Sequence, residues 1–308
     1  MLIIDTQLHE PPLYLDWTGS DTTTRFALMT ELQLAYLNAV GVDQAILFPL
    51  DEAWGEWAAA ERPDKFAFVP MVSANGLPNT ISAADPDIDA IIAEKAALPG
   101  CVGVRILHST SGFLHPNADR PIYVDPVESF QKVIEGCIRA DIPLFMSTAG
   151  ALEGPGEIAR SHPDLRVIVD HLGLPQRPTF LRDDPPFSSL AKLLQLAALP
   201  NVYVKLSGAP TLSEEQYPFA DLWPHLTEVI EAFGAERLMW GTDISRVQGL
   251  AGFTMNVAGG ESYQGRHNYG EALHYLLDDD SLSSQQKEWI FGRTAQTVLR
   301  WPTEGVSK

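Results

Sequence analysis

Only two cysteines occur in the 308 residues, Cys101 and Cys137. They form no C-x-x-C spacing, so neither a disulfide framework nor a cysteine zinc site is expected. Both thiols are expected to be reduced, as in the cytosol. Basic residues are also scarce. Lys and Arg number 21 against 40 Asp and Glu, a net charge of −19. That balance excludes nucleic acid as the expected partner, because phosphate binding is driven by Lys and Arg. It disfavours an anionic membrane surface for the same reason. A small anionic substrate stays open, since a few local arginines outweigh a distant, screened field. No apolar run of about 18 residues is present, so no transmembrane helix is expected. No basic region precedes an apolar stretch at the start, so no secretory leader is expected, and the chain reads as cytoplasmic. A glycine-rich turn after the first strand is missing too. Gln7-Leu8-His9-Glu10-Pro11 stands there instead, which sets aside the open dinucleotide-binding sheet.

What is present is a regular alternation. Apolar runs that read as strands cover residues 2–9, 45–48, 66–72, 101–107, 143–147, 166–170, 202–206 and 237–240. Helical patterns lie between them, at 24–40, 54–61, 87–97, 126–140, 156–161, 189–198 and 222–233, with two more at 271–277 and 284–298. Gly41 reads as the glycine that stops the first helix. Phe130, Val133, Ile134, Cys137 and Ile138 fall at helical spacing in the fourth. Strands alternating with helices imply parallel pairing through crossovers. Eight such units in about 300 residues predict an α/β fold, a (β/α)8 barrel in one domain over residues 1–308, elaborated by βα loops and C-terminal helices.

In such a barrel the carboxyl ends of all eight strands meet on one face. The polar residues expected there are Gln7 and His9 from the first strand, and Arg105 with His108 from the fourth. Ser147 and Thr148 end the fifth, His171 follows the sixth, and Lys205 and Ser207 belong to the seventh. Asp243 ends the eighth. A structural core would fill these positions with Val, Ile or Leu. Period-2 alternation places Asp5, Gln7 and His9 on one face and turns Asp170 outward. A buried Lys205 needs a carboxylate partner. Arg105, Arg177 and Arg246 are candidates to clamp a substrate carboxylate; the loop arginines read equally well as solvent-exposed charge. Tyr14, Trp17 and Trp54 are candidate pocket walls or plain core.

Several segments together resemble the amidohydrolase-related group of the amidohydrolase superfamily, in its branch of lactone hydrolases acting on sugar lactones and on pyrone or muconolactone acids. They are Asp5-Thr6-Gln7-Leu8-His9, which stands where the family has Asp-x-His-x-His, and Gly103-Val104-Arg105. The others are Val169-Asp170-His171-Leu172-Gly173-Leu174-Pro175, Asn201 through Gly208, and Leu238-Met239-Trp240-Gly241-Thr242-Asp243. The resemblance spans nearly the whole chain. It implies a hydrolase of a small carboxylated or polyhydroxylated lactone, with His9, His171 and Asp243 at its centre. It also implies one divalent metal such as zinc on those three residues. The family's first histidine is replaced here by Gln7, and the fifth strand offers Ser147 and Thr148 rather than histidine, so the metal stays open. Some lactonases of this branch are understood to work without one. Asp243 is expected to take a proton from water, His9 and His171 to polarise the carbonyl, and Gln7, Arg105, His108, Ser147, Thr148, Arg177, Lys205 and Arg246 to contact substrate. A decarboxylase or lactone isomerase on the same scaffold, or a degenerate partner subunit, are the other readings. The expected partner is a small molecule, and a homo-oligomer stays open.

Overall fold

The computed structural model describes residues 1–11, 21–76, 79–110, 122–176, 182–244 and 267–301. Its strands, in chain order, are β1 Ile4–Leu8, β2 Gln44–Leu47, β3 Phe66–Phe68, β4 Met71–Ser73, β5 Ile81–Ser82, β6 Val104–Leu107, β7 Ser109–Thr110, β8 Ile122–Tyr123, β9 Leu144–Ser147, β10 Val167–Val169, β11 Val202–Lys205 and β12 Leu238–Met239. Parallel ladders run β1-β2-β3 and β12-β11-β10-β9-β6-β4-β5, while β7 and β8 pair as a separate hairpin. Backbone hydrogen bonds tie the two parallel sheets together at both edges. Phe68 N–H donates to the Gly100 carbonyl (2.8 Å) and Val102 N–H to the Phe68 carbonyl (3.1 Å). At the other edge, Thr6 N–H donates to the Trp240 carbonyl (3.2 Å) and Asp243 N–H to the Gln7 carbonyl (2.9 Å). With β3 and β4 sharing one position, the strands form the expected (β/α)8 barrel.

Helices follow the strands where the periodicity places them. The first, Thr22–Val40, is capped by Asp21, whose side chain accepts from Thr24 N–H. It ends at Gly41 with φ 76°, a left-handed turn that glycine adopts without steric cost. Among the described residues no helix is long and apolar enough to cross a membrane.

Three local expectations are corrected. The third predicted strand, continuous over 66–72, is broken at Pro70, which has no N–H for the ladder. Its first half pairs with β2 and its second with β6, so the break lets one strand serve two neighbours. The C-terminal helix, expected unbroken over 284–298, contains a π turn at Trp289–Arg293. The Ile290 carbonyl there accepts Trp240 N–H at 2.8 Å, which fastens the C-terminal helix to the end of β12. In β1 the pairing register shifts between Asp5 and Leu8, so one extra residue breaks the alternation.

The core divides into two layers. One lies between the strands and the helices, with Leu47, Val104, Ile106, Leu144, Met146, Val167, Val169, Val202 and Val204 facing outward. The other fills the barrel: Ile4, Ile46, Phe48, Ala67, Val69, Phe145, Ile168 and Met239, closed from one end by Ala295, Val298, Leu299 and Trp301. Trp54 belongs to the outer layer. It is fully buried and donates its indole N–H to Thr30 Oγ1 at 3.2 Å.

Candidate active site

Above the apolar plug, the inward positions of the same strands turn polar. Lys205 lies one inward step beyond Tyr203 in β11. It is fully buried, with its ammonium 3.9 Å from the centre of the Phe48 ring. The ammonium donates to Asp170 Oδ1 at 3.1 Å and, by a short contact, to Gln7 Oε1. Asp170 Oδ2 accepts Arg105 Nε–H at 2.7 Å. Burial pushes Lys205 down to about 8, against the opposing pull of Asp170. Burial works to raise the Asp170 carboxyl, but Lys205 and Arg105 together outweigh it and hold Asp170 below the ordinary range. The carboxylate that Lys205 needed is therefore Asp170. The outward reading of Asp170 is corrected: Ile168 faces into the barrel, and two residues on Asp170 does the same.

The next layer holds the histidines and Asp243. His9 Nδ1 lies 2.6 Å from the Phe48 carbonyl, and its Nε2 lies 3.3 Å from both Asp243 Oδ1 and Gln7 Nε2. His171 places Nε2 3.3 Å from Arg105 Nη2, and Nδ1 2.9 Å from Ser207 Oγ and 3.8 Å from Asp243 Oδ2. Asp243 is fully buried between the two imidazoles. Three strand ends leave the barrel through left-handed residues: Ala149 (φ 43°), His171 and Leu172 (φ 56° and 59°), and Asp243 (φ 55°). Non-glycine residues in that region cost on the order of 1–3 kcal/mol each and cluster where function demands them. Here the left-handed turn at His171 lets two successive residues, Asp170 and His171, both reach the interior.

Asp5 serves the site from outside it. The register shift separates it from Gln7 and His9, which correct the expectation that all three share one face. Its carboxylate accepts Gln7 N–H (3.0 Å), Thr242 N–H (2.9 Å), the Thr242 hydroxyl and the Tyr269 hydroxyl (2.8 Å). Burial pushes the Asp5 carboxyl up to about 6, partly offset by those donors. Gly241 allows this close approach, since a Cβ there would lie 3.0 Å from Thr6 Oγ1 and 3.1 Å from Gln7 N. Gln176, also not anticipated, donates from Nε2 to the carbonyls of His171 (3.1 Å) and Ser207 (3.3 Å) and ties the two strand ends together.

The remaining expected residues divide. Ser147 continues the inward face of β9, two residues after Phe145. His108 and Thr148 follow outward-facing Ile106 and Met146 at the ends of adjacent strands. Both are buried, and neither His108 nitrogen nor Thr148 Oγ1 has a hydrogen-bond partner among the described residues. Burial pushes His108 down to about 4, and its ring lies 6.4 Å from that of Tyr123. Tyr14, Trp17, Arg177 and Arg246 lie outside the described residues.

The resemblance implies a divalent metal on His9, His171 and Asp243, and the donor set decides whether these residues fit one. Both His171 nitrogens are engaged, one by an Arg105 donor and one by Ser207. The Gln7 side-chain amide oxygen is committed to an ammonium. Two resident cations, Arg105 and Lys205, stand beside the would-be ligands. Among the described residues no three His, Cys, Asp or Glu side chains gather as a metal-binding group. As built, the site does not fit a divalent ion, and no step below runs through one.

Known proteins resemble the chain in sequence and in fold. The chain is 32% identical over 178 residues to an L-fucono-1,5-lactonase of Burkholderia ambifaria, covering 54% of each chain. It is 30% identical over 115 residues to a 4-sulfomuconolactone hydrolase of Hydrogenophaga intermedia, covering 37% of this chain and 36% of that one. The chain thus spans about half the length, or less, of the curated relatives it matches. A crystal structure of an amidohydrolase from Burkholderia multivorans with bound HEPES superposes with a TM-score of 0.68 at 20% identity, covering 98% of this chain and 100% of that one. Residues 4–301 match the Amidohydrolase family, and the chain belongs to it.

Proposed function

We propose that this protein hydrolyses a small lactone, carboxylated or polyhydroxylated, by water attack assisted by Asp243 and His9. The observation that carries the reading is the placement of Asp243 Oδ1 3.3 Å from His9 Nε2 at the carboxyl end of the barrel, beside Arg105 and His171. A water above this pair attacks the lactone carbonyl carbon. Its proton passes to the Asp243–His9 pair, where carboxylate and imidazole hold it between them. Negative charge grows on the carbonyl oxygen as the tetrahedral intermediate forms. The Arg105 guanidinium, fixed by Asp170 beside His171, supplies positive potential from a preorganised, largely buried setting. The ring C–O bond then breaks, the leaving oxygen takes the proton back, and the product is the open hydroxy acid. The relatives named as lactone hydrolases support this chemistry over decarboxylation or isomerisation on the same scaffold. A small molecule is the partner in this reading, and the compartment is the cytosol.

The test is ring opening, followed as acid release, on a panel of sugar 1,5-lactones and carboxylated lactones. Turnover of at least one member well above the uncatalysed rate is expected. Folded protein that opens none of them at millimolar concentration would overturn the reading.

A further inference from the structure

The replacement of the family's first histidine by Gln7 has a use of its own. Phe48 offers His9 only a carbonyl, which accepts and cannot donate. His9 Nδ1, 2.6 Å away, must therefore carry a proton. Lys205 offers Gln7 only an ammonium, which donates and cannot accept. The Gln7 atom facing it must be the oxygen, so the amide NH2 faces His9 Nε2 at 3.3 Å. An N–H pointing at Nε2 calls for a lone pair there.

Along Lys205–Gln7–His9–Phe48 the donors and acceptors match in one arrangement of protons, with N–H on Nδ1 toward Phe48 and a lone pair on Nε2 toward Gln7. We infer that Gln7 and Lys205 are positioning residues that fix His9 as the Nδ1–H tautomer, with a basic Nε2 beside Asp243, and so do the orienting that a metal would otherwise do. The catalytic consequence rests on the lactonase reading above; the tautomer does not.

The rest of the cluster fits this role. Lys205 is held from its other side by Asp170 and sits against the Phe48 face, so three neighbours keep its ammonium on Gln7. His9 Nε2 lies at the same distance, 3.3 Å, from the Gln7 amide nitrogen and from Asp243 Oδ1. While the lone pair is free, Gln7 donates to it. Once Nε2 has taken the proton from water, it donates to Asp243 instead. The imidazole therefore has a partner on each side of the proton transfer. A divalent ion on Nε2 would have to displace the Gln7 amide and sit close to the Lys205 ammonium.

The experiment is 15N NMR of the histidine side chains in the full chain at neutral pH, with His9 assigned by comparison with His9→Gln. Wild-type His9 is expected to show protonated Nδ1 and unprotonated Nε2, and zinc added alone is expected to leave its signals in place. Gln7→Glu keeps the shape but presents an acceptor on both sides, so Nε2 is expected to become protonated. The kcat should then fall about 100-fold or more, as for loss of a general base, with KM little changed. Lys205→Met frees the Gln7 amide to flip and should give a mixed tautomer signal; if it does not fold, Gln7→Glu carries the test alone. A proton on Nε2 in the wild type, or His9 signals that shift with one equivalent of zinc, would overturn the inference. Failure of the lactone panel with the expected His9 signals would instead remove the lactonase reading and leave the tautomer standing.

Discussion

The two halves of the barrel interior are built from the same strands and are both largely buried, yet they hold opposite chemistry. In β10, Ile168 lies in the apolar plug and Asp170, two residues later, binds two cations. In β11, Tyr203 packs against the plug and Lys205 carries a buried charge. In β9, Phe145 gives way to Ser147. One pleat, about 6–7 Å along a strand, separates a layer that adds stability by excluding water from a layer that loses it by burying charge. The lower half can be filled by any well-packed apolar set. The upper half is less permissive, because its members satisfy particular neighbours: remove the Asp170 carboxylate and two buried cations are left without their partner.

That contrast can be broken most strongly at Asp243. Asp243→Asn keeps the size but removes the proton acceptor. The kcat on the best lactone is expected to fall about 100- to 10,000-fold, while thermal unfolding stays close to wild type. Wild-type turnover from a folded variant would take Asp243 out of the mechanism.

Asp170→Asn comes next and shows as lost stability. It leaves Arg105 and Lys205 buried without their shared carboxylate. Breaking one partner of a buried pair typically costs about 3–5 kcal/mol, which urea unfolding would read. Activity should fall as well, because both cations lose the anchor that aims them. A loss below about 1 kcal/mol would mean that the two cations find other partners.

A third effect is a pH dependence. The Asp5 carboxyl is held at about 6 in the folded protein against an ordinary 3.8, so the native state binds this proton more tightly than the unfolded chain does. Its contribution is therefore most favourable at or below about pH 4. It is lost as pH rises toward 6 and changes little above that. Two units correspond to roughly 3 kcal/mol. Glu10, also raised by burial, adds to the same slope. Denaturant unfolding at intervals from pH 4 to 7 should therefore be flatter in Asp5→Asn than in the wild type. An unchanged slope would assign it to other groups.

How much of this was legible in the sequence follows the same division. The barrel was legible because its signals are local: an apolar run, a helical period, a stop at Gly41. The residue types at the strand ends were legible too, and Asp243, His171, His9, Gln7, Lys205 and Arg105 do converge. Their partners were not. Gln7 and Lys205 are 198 positions apart, and no spacing rule reports a contact made by closing a ring. Parity failed at two places for one reason. It assumes an extended chain, and β1 shifts register after Asp5 while His171 turns left-handed after β10. Counting back from His171 therefore gave Asp170 the wrong face.

The smallest expected effect sharpens the comparison from below. Ile168→Val removes one methylene from the plug beneath Asp170. Such a change typically costs about 0.5–1.5 kcal/mol, and the same unfolding measurement would read it. The kcat should not move, because Asp170 is held by its two cations rather than by the residue beneath it, and Val keeps the β-branched shape that suits the strand. Stability and activity would then report separately on two residues one pleat apart. A drop in kcat of tenfold or more in Ile168→Val would show the plug setting the height of the charged layer, and the two halves would have to be treated as one packed unit.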